Sequence, residues 1–123
     1  MTGMMRDMTV DAARMARAAG LGFATATDLA NWLVEKKGMA FRDAHHVSGR
    51  AVALAEAQGI ELDKLSLDAL QAIEPSITNE VRVELGTARS VRRRASYGGT
   101  APQNVLKMAR AWSKRLEKER GKV

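Results

Sequence analysis

Apolar residues in this chain recur at intervals of three and four, the period of helices. The first such segment runs from Val10 to Ala19, with Thr9 as its expected N-cap, Asp11 in the first turn and Gly20 as a left-handed exit. A second opens at Thr25, with Asp28 three residues on in the place of a capping box. It sets Leu29, Trp32 and Leu33 on one face before Lys36, Lys37 and Gly38 close it. The third and central segment spans about Ala40 to Gln58 and stops at Gly59. Phe41, Ala44, His45, Ser48, Ala51, Val52 and Ala55 share one face, Val47 and Leu54 widen it, and Arg42, Asp43, His46 and Arg50 share another. Gly49, inside this helix, costs about 1 kcal/mol relative to Ala. Close approach of a neighbouring helix is the usual reason for such a residue.

Further on, Ser66 with Asp68 starts a shorter helix carrying Leu67, Leu70 and Ile73. The Glu74-Pro75 step ends it, because the residue before proline disfavours the helical region. Thr78 with Glu80 starts another, carrying Val81 and Leu85 and ending near Gly86, and a brief helical turn covers Ala88 to Arg92. The last helix runs from about Ala101 to Arg120 with a stripe at Val105, Ala109, Trp112 and Leu116 that must pack on something. No internal repeat, low-complexity linker or boundary interrupts the chain. The expectation is one all-α domain over residues 1–123, a compact multi-helix arrangement of helix-turn-helix pairs ending in a long amphipathic helix.

Composition agrees with that class. Of the 123 residues 46% are apolar but only 4% aromatic, so the core must be built from Ala, Leu, Val and Met, a palette that suits helices. A chain of this size buries roughly two thirds of the surface its unfolded form exposes, enough for one modest core. Cysteine is absent, which excludes disulfides, thiolate nucleophiles and thiolate metal sites. The N-terminal run shows no basic patch followed by a long apolar stretch. No window approaches the ~18 apolar residues of a membrane span. The expectation is a cytoplasmic protein with no membrane partner.

Charge is distributed unevenly. Residues 1–86 hold nine Lys/Arg against twelve Asp/Glu, and residues 87–123 hold eleven against two. Such a segment suits an anion or nucleic acid, but a solvated helix or contact with an acidic neighbouring subunit gives the same count. The supporting signatures of nucleic-acid modules are missing, so the plainer readings are preferred, with a basic helical module for nucleic acid or an acidic protein kept as the alternative.

Few residues invite a chemical role. His45 and His46 are adjacent on a helix, about 100° apart, and cannot chelate one ion together. His46 lies near Asp43 and Arg50, where a surface hydrogen bond or a contact with another chain is expected. The Gly98-Gly99-Thr100 turn, with Arg92, Arg93 and Arg94 upstream, has the parts of an anion site at a helix start. Yet Thr100 and Gln103 also form a good capping box with Pro102 in the first turn, and this structural reading is preferred. Tyr97 is one aromatic beside the arginines, thin support for base stacking. Trp32 and Trp112 fall on expected core faces. Ser48, Ser90 and Ser96 lie in no nucleophile motif. No metal or cofactor is expected.

Three runs carry more than their local chemistry. Gly22-Phe23-Ala24-Thr25-Ala26-Thr27-Asp28-Leu29-Ala30, then Phe41-Arg42-Asp43-Ala44-His45-His46-Val47-Ser48-Gly49-Arg50-Ala51-Val52, then Ser96-Tyr97-Gly98-Gly99-Thr100-Ala101-Pro102 after Ser90-Val91 follow one another along the chain. In order and spacing they resemble the C-terminal domain of argininosuccinate lyase, a member of the fumarase/aspartase superfamily. The resemblance covers the chain from about Met4 to the last helix. It implies a cytoplasmic homotetramer that eliminates fumarate from argininosuccinate to release arginine by general acid–base chemistry, in a pathway of arginine biosynthesis. The family's Gly-Ser-Ser-x-Met-Pro-x-Lys-x-Asn loop and Thr-x-His motif do not occur here. No catalytic residue is therefore carried over, and the chain is expected to be inactive alone, a structural and gating domain. Its expected partners are the other domains and subunits of the tetramer, with self-association if it is made alone. The resemblance places candidate interdomain or closure contacts at His46, Arg50, Ser96, Tyr97, Gly98, Gly99 and Thr100. It also makes Met1 fit as an internal residue, so a partial product and a natural stand-alone protein both stay open.

Overall fold

The face formed by Leu29, Trp32 and Leu33 is no more than 2% exposed. It belongs to α3 (Ala26–Lys37), and in the computed structural model, which describes residues 2–121, the rest of the core gathers round it. The expectation for Met1, and Lys122 of the basic segment, lie outside the described residues. In chain order the helices are α1 (Thr2–Arg6), α2 (Ala12–Gly20), α3, α4 (Phe41–Gln58), α5 (Leu67–Ile73), α6 (Val81–Glu84), α7 (Thr87–Arg93) and α8 (Pro102–Arg120), with a 3₁₀ turn at Leu62–Lys64. No strand occurs among the described residues.

α3 and α4 form a hairpin joined by three residues, a link that places helices side by side. Ala44, Val47, Ala51 and Ala55 of α4 are buried in the same cluster as the large side chains of α3, and small residues on one helix leave room for Leu and Trp on the other. Ser48, also buried, donates its hydroxyl to the Ala26 carbonyl at 2.6 Å and so satisfies the one polar side chain on that stripe. Leu62, Leu65, Leu70, Ile77, Val81 and Leu85 close the cluster from the 3₁₀ turn, α5, α6 and the residues that follow them. Long side chains tie the intervening loops: Arg50 Nη2 donates to the Ile73 carbonyl at 3.1 Å, Gln71 to the Ile77 carbonyl at 2.8 Å and Arg82 to the Leu65 carbonyl at 3.3 Å.

The ends of the central helices follow the sequence. Gly38 and Gly59 take left-handed conformations, φ 66° and 65°, and the residues after them donate back to the Leu33 and Ala55 carbonyls. Ser66 caps α5 by accepting from the Ala69 N–H at 3.1 Å, and Glu74 leaves the helix in an extended conformation before Pro75.

Several expectations are corrected. α2 is capped by Asp11, whose carboxylate accepts from the Arg14 N–H at 3.0 Å, and not by Thr9; the helix starts two residues later than its apolar pattern. Thr25 is the N-cap of α3 but makes no side-chain capping bond, so the capping box with Asp28 does not form. Asp28 is instead buried near the positive end of the α3 dipole, with Oδ2 lacking a hydrogen-bond partner. On α4 the buried stripe passes through Ala44, Ser48, Ala51 and Ala55, about 100° from His45. His45 and Phe41 therefore sit at its exposed edge, with their rings 5.7 Å apart. Gly49 is exposed, and a Cβ built there would meet nothing within 4 Å, so no helix of this chain approaches it. Val105, Trp112 and Leu116 of α8 are 50–53% exposed and no residue of that helix is buried, so its stripe is not packed into a core among the described residues.

Two outcomes test this account. Leu33→Ala empties fully packed core and is expected to lower unfolding free energy by about 2–5 kcal/mol, whereas Val105→Ala on α8 changes it by less than about 0.5 kcal/mol; urea titration measures both. Ser76, whose backbone N–H donates to Glu74 Oε1 at 3.1 Å, holds the Glu74 carboxyl below its ordinary range; burial opposes it and the Arg50 charge assists. A carboxylate with a depressed folded pKa stabilises the fold above its unfolded pKa and loses that contribution as pH falls through the folded one. The chain should thus be more stable than Glu74→Gln at neutral pH, and the gap should close as urea titrations are taken below about pH 4.3.

Candidate functional site

The residues singled out by sequence fall into two groups on different elements. His46 and Arg50 stand one turn apart on the exposed side of α4. Ser96 to Thr100 form the connection between α7 and α8. No hydrogen bond or ion pair among the described residues joins the two groups. His46 makes no hydrogen bond to Asp43 among those residues. Arg50 is committed to the Ile73 carbonyl, which fixes its guanidinium against the end of α5.

The connection is built by backbone. Gly99 donates to the Ser96 carbonyl at 2.9 Å, Asn104 Nδ2 donates to the same carbonyl at 2.8 Å, and Ala101 donates to the Arg94 carbonyl at 3.1 Å. Gly98 has φ 76°, and a Cβ on Gly99 would sit on the Arg94 carbonyl oxygen and 2.9 Å from its carbon, so the second glycine is set by close approach of backbone to backbone. The N-cap of α8 is the buried Ala101, and Thr100 is exposed with no side-chain cap bond. The expected Thr100–Gln103 capping box is replaced by Ala101 tucked against Arg94 and by the Asn104 side chain.

This arrangement offers an anion little. Ala101 has given away its N–H, Asn104 and Val105 donate to the Ala101 carbonyl, and Pro102 has no N–H, so most donors of the first turn are used. A shallow groove of about 350 Å³ runs beside it, lined by Gly98, Gly99, Thr100, Asn104, Val105 and Met108 among others. Tyr97 is fully exposed.

What sequence reasoning missed is the part that Arg93 plays: it named the residue only as a member of the basic run. Its guanidinium reaches Glu35 of α3 at 2.7 Å and Glu84 of α6 at 3.0 Å, and Arg89 joins Glu84 at 3.4 Å. Burial on its own would lower the Arg93 pKa; the hydrogen bond and charge of Glu35, with those of Glu84, more than reverse this and hold it above its ordinary value. The clamp fastens the end of α7, and with it the turn, to the body. It also commits one member of the basic run to carboxylates, while Arg92 and Arg94 form no ion pair among the described residues. A larger groove of about 570 Å³ lies between α2, the 3₁₀ turn and the start of α7, with Arg17, Glu61, Asp63 and Lys64 on its walls. None of the singled-out residues lines it. Among the described residues no three His, Asp or Glu side chains gather as metal ligands would, and no helix is long and apolar enough to cross a membrane.

Comparison with known proteins gives this geometry a setting. Residues 23–92, α3 through most of α7, match the family described as argininosuccinate lyase C-terminal. Over 118 residues, 96% of the chain, the sequence is 58% identical to argininosuccinate lyase 1 of Mesorhizobium japonicum, of which it spans 25%. The fold is similar to that of a doubly substituted EDDS lyase variant with bound fumarate, TM-score 0.77, and of EDDS lyase in complex with formate, TM-score 0.75. Each is 28% identical, over 89% of this chain and 24% of the other. The chain thus spans about a quarter of the length of the relatives it matches.

The two glycines are expected to respond in opposite directions. Gly99→Ala forces backbone apart and should cost at least about 2 kcal/mol, while Gly49→Ala has open space and should stabilise the chain by about 0.5–1 kcal/mol. Thermal and urea unfolding of the two variants check both signs.

Proposed function

The chain belongs to the argininosuccinate lyase C-terminal family, and on that premise we propose that it is the structural and gating part of a lyase that splits argininosuccinate into arginine and fumarate. The observation that carries this reading is the 58% identity, over 96% of this chain, to a lyase four times as long. In such a reaction a base takes a proton beside a carboxylate while the C–N bond breaks and charge is stabilised on the carboxylate. The groups described above do not supply that base. His46 has no acidic partner among the described residues, Arg50 is fixed on a backbone carbonyl, and Ser96 to Thr100 serve a turn.

What this chain contributes is shape. Its core and the Arg93 clamp make the α3–α7 unit and the turn before α8 move as one piece. Such a piece, swung against the rest of a lyase, excludes water and completes substrate contacts, a conformational rather than a chemical role. His46 and Arg50 on α4, with Ser96, Tyr97, Gly98, Gly99 and Thr100 on the turn, are the proposed closure or interdomain contacts. The other domains and subunits of a cytoplasmic homotetramer are the proposed partners. The alternative, a stand-alone basic module for nucleic acid or an acidic protein, draws support from the surplus of Lys/Arg after residue 86.

On this reading the 123-residue chain releases no fumarate from argininosuccinate in a spectrophotometric assay. In a full-length lyase carrying this sequence, His46→Ala and Thr100→Ala each lower kcat or raise KM by about tenfold. Unchanged kcat and KM in both variants would remove the closure role, and turnover by the short chain that mutation of the chain abolishes would overturn the assignment.

A further inference from the structure

Three hydroxyl side chains in this chain have an arginine at the third position before them: Thr9 after Arg6, Ser96 after Arg93 and Ser113 after Arg110. Only Ser96 has a second arginine, Arg94, at the next position along, with Arg92 ahead of both. Thr9 has Asp7 in that place and Ser113 has Ala111. Ser113 also lies inside the unbroken α8, whereas Ser96 lies in the exposed connection between α7 and α8, and its hydroxyl makes no hydrogen bond among the described residues. The fully exposed ring of Tyr97 follows it directly. The turn itself is held through the Ser96 and Arg94 carbonyls, so the fold uses neither that hydroxyl nor that ring.

We infer that Ser96 is a phosphorylation site for a basophilic serine kinase, one that reads arginines at the second and third positions before its target, and that the Arg93 clamp sets access to it. Such kinases pair those guanidiniums with carboxylates of their own, a forked geometry that arginine suits. Arg92 and Arg94 are exposed and form no ion pair among the described residues. Arg93 is engaged: in the last turn of α7 it is held by Glu35 at 2.7 Å and Glu84 at 3.0 Å, the same kind of partner that the kinase offers. A kinase cleft takes its substrate as an extended segment, and here the bonds of Gly99 and Asn104 to the Ser96 carbonyl, and of Ala101 to the Arg94 carbonyl, keep the segment folded. Phosphorylation therefore proceeds through local opening of the turn and of the end of α7, and its rate follows the opened fraction. In the transfer the bond from Ser96 Oγ to the γ-phosphorus of a nucleoside triphosphate forms as the bond from that phosphorus to the β–γ bridging oxygen breaks. The hydroxyl proton passes to the carboxylate base of the kinase and the nucleoside diphosphate leaves. The product carries a charge of about −1.5 to −2 next to the arginine run. On the lyase reading above that charge falls on the proposed closure turn, but the assignment of the site does not depend on that reading, and the failure of one leaves the other standing.

The test incubates the 123-residue chain with ATP and the catalytic subunit of cyclic-AMP-dependent protein kinase, and follows the phosphate by intact mass and its position by fragmentation. One phosphate at Ser96 is expected, with none in Ser96→Ala and a kcat/KM of the kinase at least about tenfold lower on Arg94→Gln, which removes a charge-assisted contact. Glu35→Gln and Glu84→Gln each take one charge from the clamp and are expected to raise that kcat/KM by about two- to fivefold. No incorporation, or incorporation mapped to Thr9 or Ser113 in place of Ser96, overturns the site. Unchanged rates in both glutamine variants overturn the gating by the clamp, and an unchanged rate in Arg94→Gln overturns recognition through the arginine run.

Discussion

The packing of Leu29, Trp32 and Leu33 on the alanine stripe of α4 is the contact on which the rest of the structure depends. It is the one place where two long helices share a continuous face, and the shorter elements are positioned by what it leaves uncovered. Leu62, Leu65, Leu70, Ile77, Val81 and Leu85 all join the buried cluster that the pair begins. None of α5, α6 or the 3₁₀ turn, at seven, four and three residues, would persist as a free helix. Their order is borrowed from the hairpin, through apolar burial and through side chains such as Arg50, Gln71 and Arg82 that satisfy loop carbonyls.

The distribution of burial follows from that dependence. Among the described residues every buried one lies between Thr25 and Ala101, while α2 and α8 have none. The family match covers almost the same stretch, residues 23–92. Packing and family pattern coincide because both are set by the hairpin and by the elements that cannot form without it. The Arg93 clamp extends this rigid unit to its far end, where it holds the α7 terminus against α3 and α6 through Glu35 and Glu84. The start of the helix beyond is held by the Arg94 to Ala101 backbone hydrogen bond, the Asn104 side chain and the buried Ala101.

How much of this is legible in the sequence depends on whether the signal is local. Helix ends at Gly38 and Gly59 and the Ser66 cap are readable because each is decided within five residues. The starts of α2, α3 and α8 mislead where two capping candidates compete. Asp11 displaces Thr9, Thr25 is buried at the N-cap without a side-chain capping bond, and the buried Ala101 takes the cap position from Thr100. His45 falls on the core face by pattern because Phe41 and Val52 widen the apparent stripe, and only the packing partner decides which edge is covered. The Arg93 clamp joins residues 58 apart in sequence, and no periodicity announces such a pair. The candidate site is legible only as a resemblance, since its residues share no hydrogen bond and no chemistry of their own.

Gly49 sharpens the physical meaning of that resemblance. A glycine inside an 18-residue helix weakens it by about 1 kcal/mol relative to Ala, and such residues are usually explained by a neighbour too close to admit a Cβ. Here the neighbour is missing: the position is exposed, with nothing within 4 Å of the point where a Cβ would stand. On the same side of α4 stand Phe41, 62% exposed with its ring against His45, and the exposed His46. A helix that gives up intrinsic stability on its outer face while its inner face is packed to completion is shaped by two different demands. The inner face answers to the core of this chain. The outer face, like the stripe of α8, is accounted for by no contact among the described residues.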